Sequence, residues 1–209
     1  MFLSRIRLDA GKRNTQAALS SLSKFHGAIE EAFDHQLGER DRKLWRLDKL
    51  GDNIYLMLLS REVPRFEGFV RQFGGSLADC ITKDYDILLR RIEEDSWWQF
   101  RLVANPTICK FSNKGERGKR MAVVSPKLQK EWLLKQAGKN GFWLDESMVE
   151  IVESKWIVFN KKGEHTVRAL SVTYEGRLQV KDVERFRNAL TQGIGREKAY
   201  GMGMITIMK

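Results

Sequence analysis

The 209-residue sequence has only three prolines and two cysteines, and it has no low-complexity stretch. No segment approaches the roughly 18–20 apolar residues that a membrane-spanning helix needs. Residues Met1–Arg7 alternate charged and apolar side chains, so we do not expect a signal peptide. Because 42% of the residues are hydrophobic, the chain can bury a core. We therefore expect a globular cytoplasmic protein with one large domain or two small ones.

The sequence also has few residues that bind metals. Its cysteines, Cys80 and Cys109, are too few for a disulfide framework, and we interpret them as buried thiols in a reducing cytoplasm. The three histidines are His26, His35 and His165. His26 and His35 lie nine residues apart rather than four, and no C-x-x-C motif exists, so no zinc site is expected. No metal or small-molecule cofactor is predicted.

Positive charge is abundant. Lysine and arginine number 37 against 27 acidic residues, which gives a net charge of +10. This surplus suits a polyanionic partner, because it steers association and releases counterions on binding. Net charge alone does not identify nucleic acid as the partner, so the distribution of the cations matters more.

Cations concentrate between two predicted strands, Ile108–Ser112 and Met121–Val124, which form a hairpin. The basic residues of this hairpin are Lys110, Lys114, Arg117, Lys119 and Arg120. Only Glu116 opposes them. We predict contact with an RNA backbone, and the alternative is a solvated loop. Because the major groove of A-form RNA resists readout by side chains, this contact should be mainly electrostatic.

The periodicity of hydrophobic residues divides the rest of the chain into two halves, in which the predicted strands and helices follow a similar order. The elements predicted in the first half are strand Phe2–Leu8, helix Gly11–Ser20, a helix from Ser23, strands Leu44–Asp48 and Ile54–Ser60, helix Arg65–Phe73 and a strand near Leu77–Thr82. The elements predicted after a connector at Tyr85–Glu93 are strand Trp97–Ala104, the hairpin, a helix from Pro126, strands Val149–Phe159 and Val167–Val180, a helix capped by Asp182 and strand Met204–Met208. Two βαββαβ units in tandem are the simplest architecture. We place the domains at residues 1–93 and 94–209.

A glycine-rich segment, Gly193–Gly203, separates the last predicted helix from the last strand. This order is wrong for a dinucleotide-binding loop, and Lys198 or Ala199 stands where the third glycine should be. Because glycine has no side chain, the backbone of this segment can approach another backbone closely. Arg196 and Lys198 can hold phosphates. A tight turn against the first domain, an RNA phosphate contact, or both remain open.

His26 lies in the first turn of a predicted helix if Ser23 is the N-cap. On a helical wheel it falls on the flank of the apolar stripe, beside Glu30. A helix N-terminus attracts an anion, and histidine suits proton transfer near neutral pH. From the residues alone, a catalytic and a structural histidine remain open. The stripe itself consists of Phe25, Ala28, Ile29, Ala32 and Phe33.

Several segments together resemble the CasE family, the repeat-processing endoribonucleases of type I-E CRISPR systems. The segments are FLSRIRLD, KFHGAIEEAF, FRLVANPT, GKRMAVVSP with EWLL, VTYEGRLQVKD and ALTQGIGREKAYGMGMITI. They occur in the family's order and extend over nearly the whole chain. The resemblance implies an α+β protein of two tandem ferredoxin-like domains, which are RRM-like and have βαββαβ order.

The resemblance also implies an activity. It implies that the protein binds the stem-loop of the CRISPR repeat, cleaves at its 3′ base and retains the product with other Cascade subunits. The implied chemistry is metal-free. The upstream 2′-hydroxyl attacks the phosphorus and leaves a 2′,3′-cyclic phosphate or 3′-phosphate and a 5′-hydroxyl. No membrane takes part.

The family's catalytic histidine matches His26, which acts as base or acid. Ser23 stands where family members often have a tyrosine, so it either contacts a phosphate or only caps the helix. The other candidates for neutralising the phosphate are Lys161, Lys162, Arg196 and Lys198. The main rival hypothesis is a non-cleaving RNA-binding subunit of a ribonucleoprotein, and a structural ribonucleoprotein component is another. A small-molecule enzyme has little support.

Overall fold

The computed structural model describes residues 1–33, 42–110, 118–161 and 165–209. Two compact units are present. The first comprises Met1–Arg91, Val158–Val167 and Lys198–Gly201, and the second comprises Ile92–Ile157, Arg168–Glu197 and Met202–Lys209. Two late segments therefore return to the first unit. The division at residues 93 and 94 stays a prediction, and the compact units differ from it by these returning segments.

The first unit contains one antiparallel sheet with helices between its strands. Its elements are β1 (Phe2–Leu8), α1 (Arg13–Ser20), α2 (Ser23–Glu31), β2 (Leu44–Leu50), β3 (Asn53–Ser60), α3 (Glu67–Phe73), β4 (Cys80–Asp84) and α4 (Asp86–Arg90). The strand order is β2-β3-β1-β4. With α1 and α2 together taking the place of one helix, this is the βαββαβ order of a ferredoxin-like fold.

The alternation of buried and exposed side chains along β1 shows why this strand forms where the sequence predicts it. Ile6 and Leu8 are buried, whereas Arg5 and Arg7 between and beside them are exposed. On α2, the predicted apolar stripe is buried in the same core. The Phe25 ring meets the Trp45 ring of β2 edge-on at 6.1 Å between centroids. The helix that carries His26 is therefore fixed to the sheet by the residue next to that histidine.

The second unit repeats this order with a hairpin inserted after its first strand. Its elements are β5 (Trp97–Ala104), β6 (Thr107–Lys110), β7 (Lys119–Ala122), α5 (Pro126–Lys139), β8 (Phe142–Trp143), β9 (Val149–Lys161), β10 (His165–Val180), α6 (Val183–Gln192) and β11 (Ile205–Met208). Residues 158–167 of β9 and β10 belong to the first unit. The sheet order is β11-β5-β10-β8, and β9 also pairs with β10. The predicted α+β class with two ferredoxin-like folds is confirmed.

The helices of the described ranges are short, and α5, the longest, has 14 residues. None of them is long and apolar enough to cross a membrane. Pro126 begins α5 directly after Ser125, as predicted, although the Ser125 side chain makes no capping hydrogen bond. Asp182 does cap α6, because its carboxylate accepts a hydrogen bond from the Arg185 backbone N–H at 3.0 Å.

The prediction that both cysteines are buried is wrong. Cys109 is exposed, because it lies on β6, which pairs only with β7 in a two-stranded ribbon with little cover. Cys80, at the start of β4, is half-buried, and this burial raises the pKa of its thiol. Both thiols are free.

Candidate active site and nucleic-acid interface

His26 occupies the first turn of α2, which begins at Ser23. Its backbone N–H donates to the carbonyl of Leu22 at 3.3 Å, so the backbone of this turn is helical. Its side chain is 40% exposed, whereas the neighbouring Phe25 is fully buried. The flank position predicted from the helical wheel is thus confirmed. A ring in this position is anchored through the helix and remains open to a ligand.

The prediction that Ser23 is the N-cap of α2 is wrong. Leu22 occupies that position with helical backbone angles, and Ser23 is the first residue of the helix. The Ser23 hydroxyl instead shares a hydrogen bond with the Ser21 hydroxyl, 3.1 Å away. Because it does not cap the helix, the half-buried Ser23 side chain remains a candidate for contacting a phosphate.

The Glu30 carboxylate lies beside His26, one helical turn later. Its Oε1 atom is 3.9 Å from Nδ1 of His26, and the pair is ionic only when the imidazole is protonated. Its Oε2 atom accepts a hydrogen bond of 3.0 Å from the ammonium group of Lys43, which precedes β2. The Lys43 side chain is only 10% exposed. A nearly buried cation therefore holds the carboxylate next to the histidine.

A short 3₁₀ turn, Lys198–Tyr200, packs against α2 and β2 within the first unit. The Tyr200 ring stacks on Phe159 with 3.7 Å between centroids and 22° between planes. It also lies 6.4 Å from the His26 ring. Because Phe159 is buried, it fixes the tyrosine, and the tyrosine forms one wall beside the histidine.

Gly201 shows how closely this turn approaches the sheet. Its φ is +76°, and a Cβ atom there would lie 2.9 Å from Cζ3 of the Trp45 ring. Only glycine adopts that backbone conformation readily and leaves room for the indole. The predicted tight turn of the glycine-rich segment against the first domain is therefore confirmed. An RNA phosphate contact by the same segment stays a prediction.

Two cations lie near each other at this turn. The pKa of Lys198 is lowered, first by partial burial and second by the positive charge of Arg42. Both effects destabilise the charged ammonium, and a nearby bound anion would offset that cost. Lys198 therefore stays a predicted phosphate contact. Arg196 is exposed and belongs to the second unit.

The basic hairpin is an isolated two-stranded ribbon in the second unit. Lys110 of β6 lies directly opposite Lys119 of β7, and Cys109 lies opposite Arg120. All three cations are exposed. Like charges facing each other across a strand pair are unfavourable, at about 0.2–1 kcal/mol, unless a counter-charge lies nearby. This arrangement favours an anionic ligand.

Other predicted residues lie outside the described part of the structure. These are Lys114 and Arg117 of the hairpin, Lys162 and the side chain of Lys161, which is the last residue of β9. Among the residues that the structure does describe, no three or more histidine, cysteine, aspartate or glutamate side chains are grouped to hold a metal ion.

The structure adds four residues to the predicted site: Glu30, Arg42, Lys43 and Tyr200. The spacing of His26 and Glu30, four residues apart on one helix, could have identified the carboxylate as a partner. The sequence gives no sign that Tyr200 and Lys43 lie beside α2, because the fold brings them there.

By its architecture, the chain is a protein of two tandem ferredoxin-like units. The first unit carries a partly exposed histidine and cations near it. The model of the CRISPR associated protein family matches residues 1–209, so the chain belongs to that family.

Individual known proteins are similar over their whole length. The CRISPR-associated endoribonuclease Cse3 of Thermus thermophilus is 28% identical over 224 residues, covering 99% of each chain. The structure of Thermus thermophilus Cse3 bound to an RNA representing a pre-cleavage complex superposes with a TM-score of 0.81. It is 24% identical and covers 100% of this chain and 98% of that one. Cas6e of Escherichia coli K-12 has a TM-score of 0.61 at 18% identity, with 99% and 98% covered.

Proposed function

We propose that this protein is a metal-independent endoribonuclease of the prokaryotic cytoplasm that processes CRISPR RNA. It binds the stem-loop of the CRISPR repeat, cleaves pre-crRNA at the 3′ base of the stem and retains the crRNA within Cascade. Membership of the CRISPR-associated family and full-length similarity to a protein named as an endoribonuclease support this proposal. The RNA in the pre-cleavage complex of the similar Cse3 structure supports the substrate class.

The observation that carries the proposal is the position of His26. Its ring is partly exposed at the head of α2, and Lys198 lies in the turn that packs against this helix. Cleavage of RNA by its own 2′-hydroxyl needs a group that moves a proton and cations that stabilise the phosphate. The first unit contains groups of both kinds, which supports the proposal.

In the proposed reaction, the 2′-oxygen upstream of the scissile bond attacks the adjacent phosphorus, and the 5′-oxygen of the next nucleotide leaves. His26 removes the 2′-hydroxyl proton or supplies a proton to the leaving oxygen. Proton transfer of this kind typically accelerates a reaction about 10²–10⁴-fold. The candidates for holding the phosphate in the first unit are Lys198 with Arg42, Ser23, Lys161 and Lys162. Arg196, in the second unit, is a separate predicted RNA contact. Because the RNA supplies the nucleophile, no metal-bound water is required.

End-group analysis of labelled repeat RNA tests this chemistry. We expect the protein to cut the RNA at one site in excess EDTA, at the same rate as in magnesium buffer. The upstream product should carry a 2′,3′-cyclic phosphate or 3′-phosphate, and the downstream product a 5′-hydroxyl. A 5′-phosphate on the downstream product, or loss of cutting in EDTA, would contradict the proposal. Tight binding without any cutting would instead establish a non-catalytic RNA-binding subunit.

The basic hairpin is the proposed contact with the RNA backbone. Exposed Lys110, Lys119 and Arg120 lie on two paired strands, and Lys110 and Lys119 face each other. Phosphates of an RNA stem provide the negative charge that this pairing lacks. Contacts of this kind position the stem without reading its sequence.

Replacing Lys110, Lys119 and Arg120 with alanine should weaken binding of the repeat RNA and flatten its dependence on salt. For each phosphate that the variant no longer neutralises, the slope of log affinity against log salt should fall by about 0.7–0.9. Fluorescence anisotropy at several salt concentrations measures both quantities. The matched control replaces three exposed cations of the first unit, Lys49, Lys83 and Arg90, with alanine. Equal slopes for the two triple variants would remove the hairpin from the interface.

A further inference from the structure

We propose that Glu30, held by Lys43, is a positioning residue that orients the imidazole of His26 for proton transfer. The inference rests on the proposed function, because it presumes that His26 acts on RNA. It assigns a role to one residue on α2 and to one residue immediately before β2.

The first step of the argument is the geometry of the carboxylate. One Glu30 oxygen lies 3.9 Å from Nδ1 of His26, and the other accepts a hydrogen bond from Lys43 at 3.0 Å. The carboxylate is only one-third exposed. Each of its two oxygens therefore has a separate neighbour, and the Lys43 contact fixes the orientation of the carboxylate beside the histidine.

The second step concerns Lys43, which has little freedom to move. Its side chain is 10% exposed, and its ammonium lies over the Phe33 ring, 4.6 Å from the centroid. A cation over an aromatic face is attracted by the ring. Because the ammonium is confined between this ring and the carboxylate, it holds Glu30 more firmly than an exposed lysine on a helix surface would.

The third step is the chemistry of the ring. A neutral imidazole carries its proton on one nitrogen, and the partner of that nitrogen determines which one it is. An acceptor beside Nδ1 keeps the proton there and leaves Nε2 to exchange a proton with the RNA. The separation of 3.9 Å is longer than a hydrogen bond, so one bridging water or a small rotation of the ring completes the contact. The Tyr200 ring lies on another side of the imidazole, with 6.4 Å between the ring centroids.

A purely structural role for Glu30 predicts a different pattern of effects. In that case the carboxylate only neutralises Lys43, and its removal leaves a nearly buried cation without its partner. Activity would then fall only as far as the fold is damaged. Variants that restore the fold without the carboxylate separate the two roles.

The experiment measures the single-turnover cleavage rate of repeat RNA at saturating protein, together with RNA affinity and the thermal midpoint. We expect Glu30→Gln to lower the rate about 10- to 100-fold at nearly unchanged affinity, since misplacement of a reacting group by about 1 Å can cost about 100-fold. Glu31→Gln is the matched control, because Glu31 is the exposed neighbour on the same helix and loses the same charge. It should cleave at the wild-type rate. An equal loss in both variants would overturn the inference.

The double variant Glu30→Gln with Lys43→Met provides the decisive comparison. It removes both charges, so no unpaired buried cation remains, and its thermal midpoint should return towards that of the wild type. The cleavage rate should stay as low as in Glu30→Gln, because the oriented carboxylate is still missing. Recovery of the rate together with the thermal midpoint would assign Glu30 a structural role only.

Failure of this inference can be told apart from failure of the proposed function. If His26→Ala abolishes cutting while Glu30→Gln cuts as fast as Glu31→Gln, only the positioning role is wrong. If His26→Ala itself cuts at the wild-type rate, the function proposed for His26 is wrong, and the positioning role falls with it.

Discussion

Replacing His26 with alanine should lower the single-turnover rate of repeat cleavage by about 10²–10⁴-fold, the usual contribution of a positioned proton-transfer group. Imidazole is the side-chain group best suited to proton transfer near neutral pH, and His26 is the histidine of the candidate site. The methyl group of alanine cannot move a proton. The rate at saturating protein, followed by gel separation of labelled repeat RNA, measures this effect without a contribution from binding.

Affinity for the repeat and the thermal midpoint should change little in the same variant. The His26 side chain is 40% exposed and outside the core, so its loss creates no large cavity. Glu31→Ala, a truncation at an exposed position of the same helix, is the control for a general effect on α2. Cutting by His26→Ala at the rate of that control would refute the assignment of His26.

A single 2′-deoxy nucleotide immediately upstream of the scissile phosphate should block cleavage altogether. The proposed reaction uses that 2′-hydroxyl as its nucleophile, and a deoxyribose has none. Because one hydroxyl contributes little to the many backbone contacts of a stem-loop, affinity should remain close to that of the all-RNA repeat. Gel analysis after long incubation measures residual product.

The matched substrate carries its single deoxy nucleotide immediately downstream of the scissile phosphate. This RNA keeps the nucleophile and should be cut at the normal rate. Continued cutting of the upstream-deoxy substrate would mean that water attacks the phosphorus, and the proposed chemistry would then be wrong.

The sequence predicts regular elements of this fold well where the period of the apolar residues is clear. The bounds of β1 and β5 agree with those predicted, because apolar residues alternate with polar or charged ones along much of each strand. β8 is not predicted, since two residues are too few to show any period. The predicted N-cap of α2 lies one residue too late. Serine is in general a favoured N-cap residue. Here the preceding residue, Leu22, already has helical backbone angles, so Ser23 lies inside the helix.

The candidate site could be predicted only in part. His26 and its place on the helix follow from local periodicity, and Lys198 follows from the loop that carries it. The neighbours of these residues in space do not follow. Tyr200 is 174 positions away from His26 in the chain, and its ring reaches α2 through the packing of Gly201 against Trp45 and through its own stacking on Phe159. Lys43 becomes a partner of Glu30 because β2 begins there.

The late position of the Lys198–Tyr200 turn in the chain has a consequence for biosynthesis. Residues 1–91 leave the ribosome long before residues 198–201, although both belong to one compact unit. A nascent chain can therefore pair β1 through β4 while Trp45 still lacks the glycine that later packs against it. The histidine acquires its neighbouring tyrosine only after residues 198–201 have been made, so the surroundings of the candidate site are completed later than the four-stranded sheet.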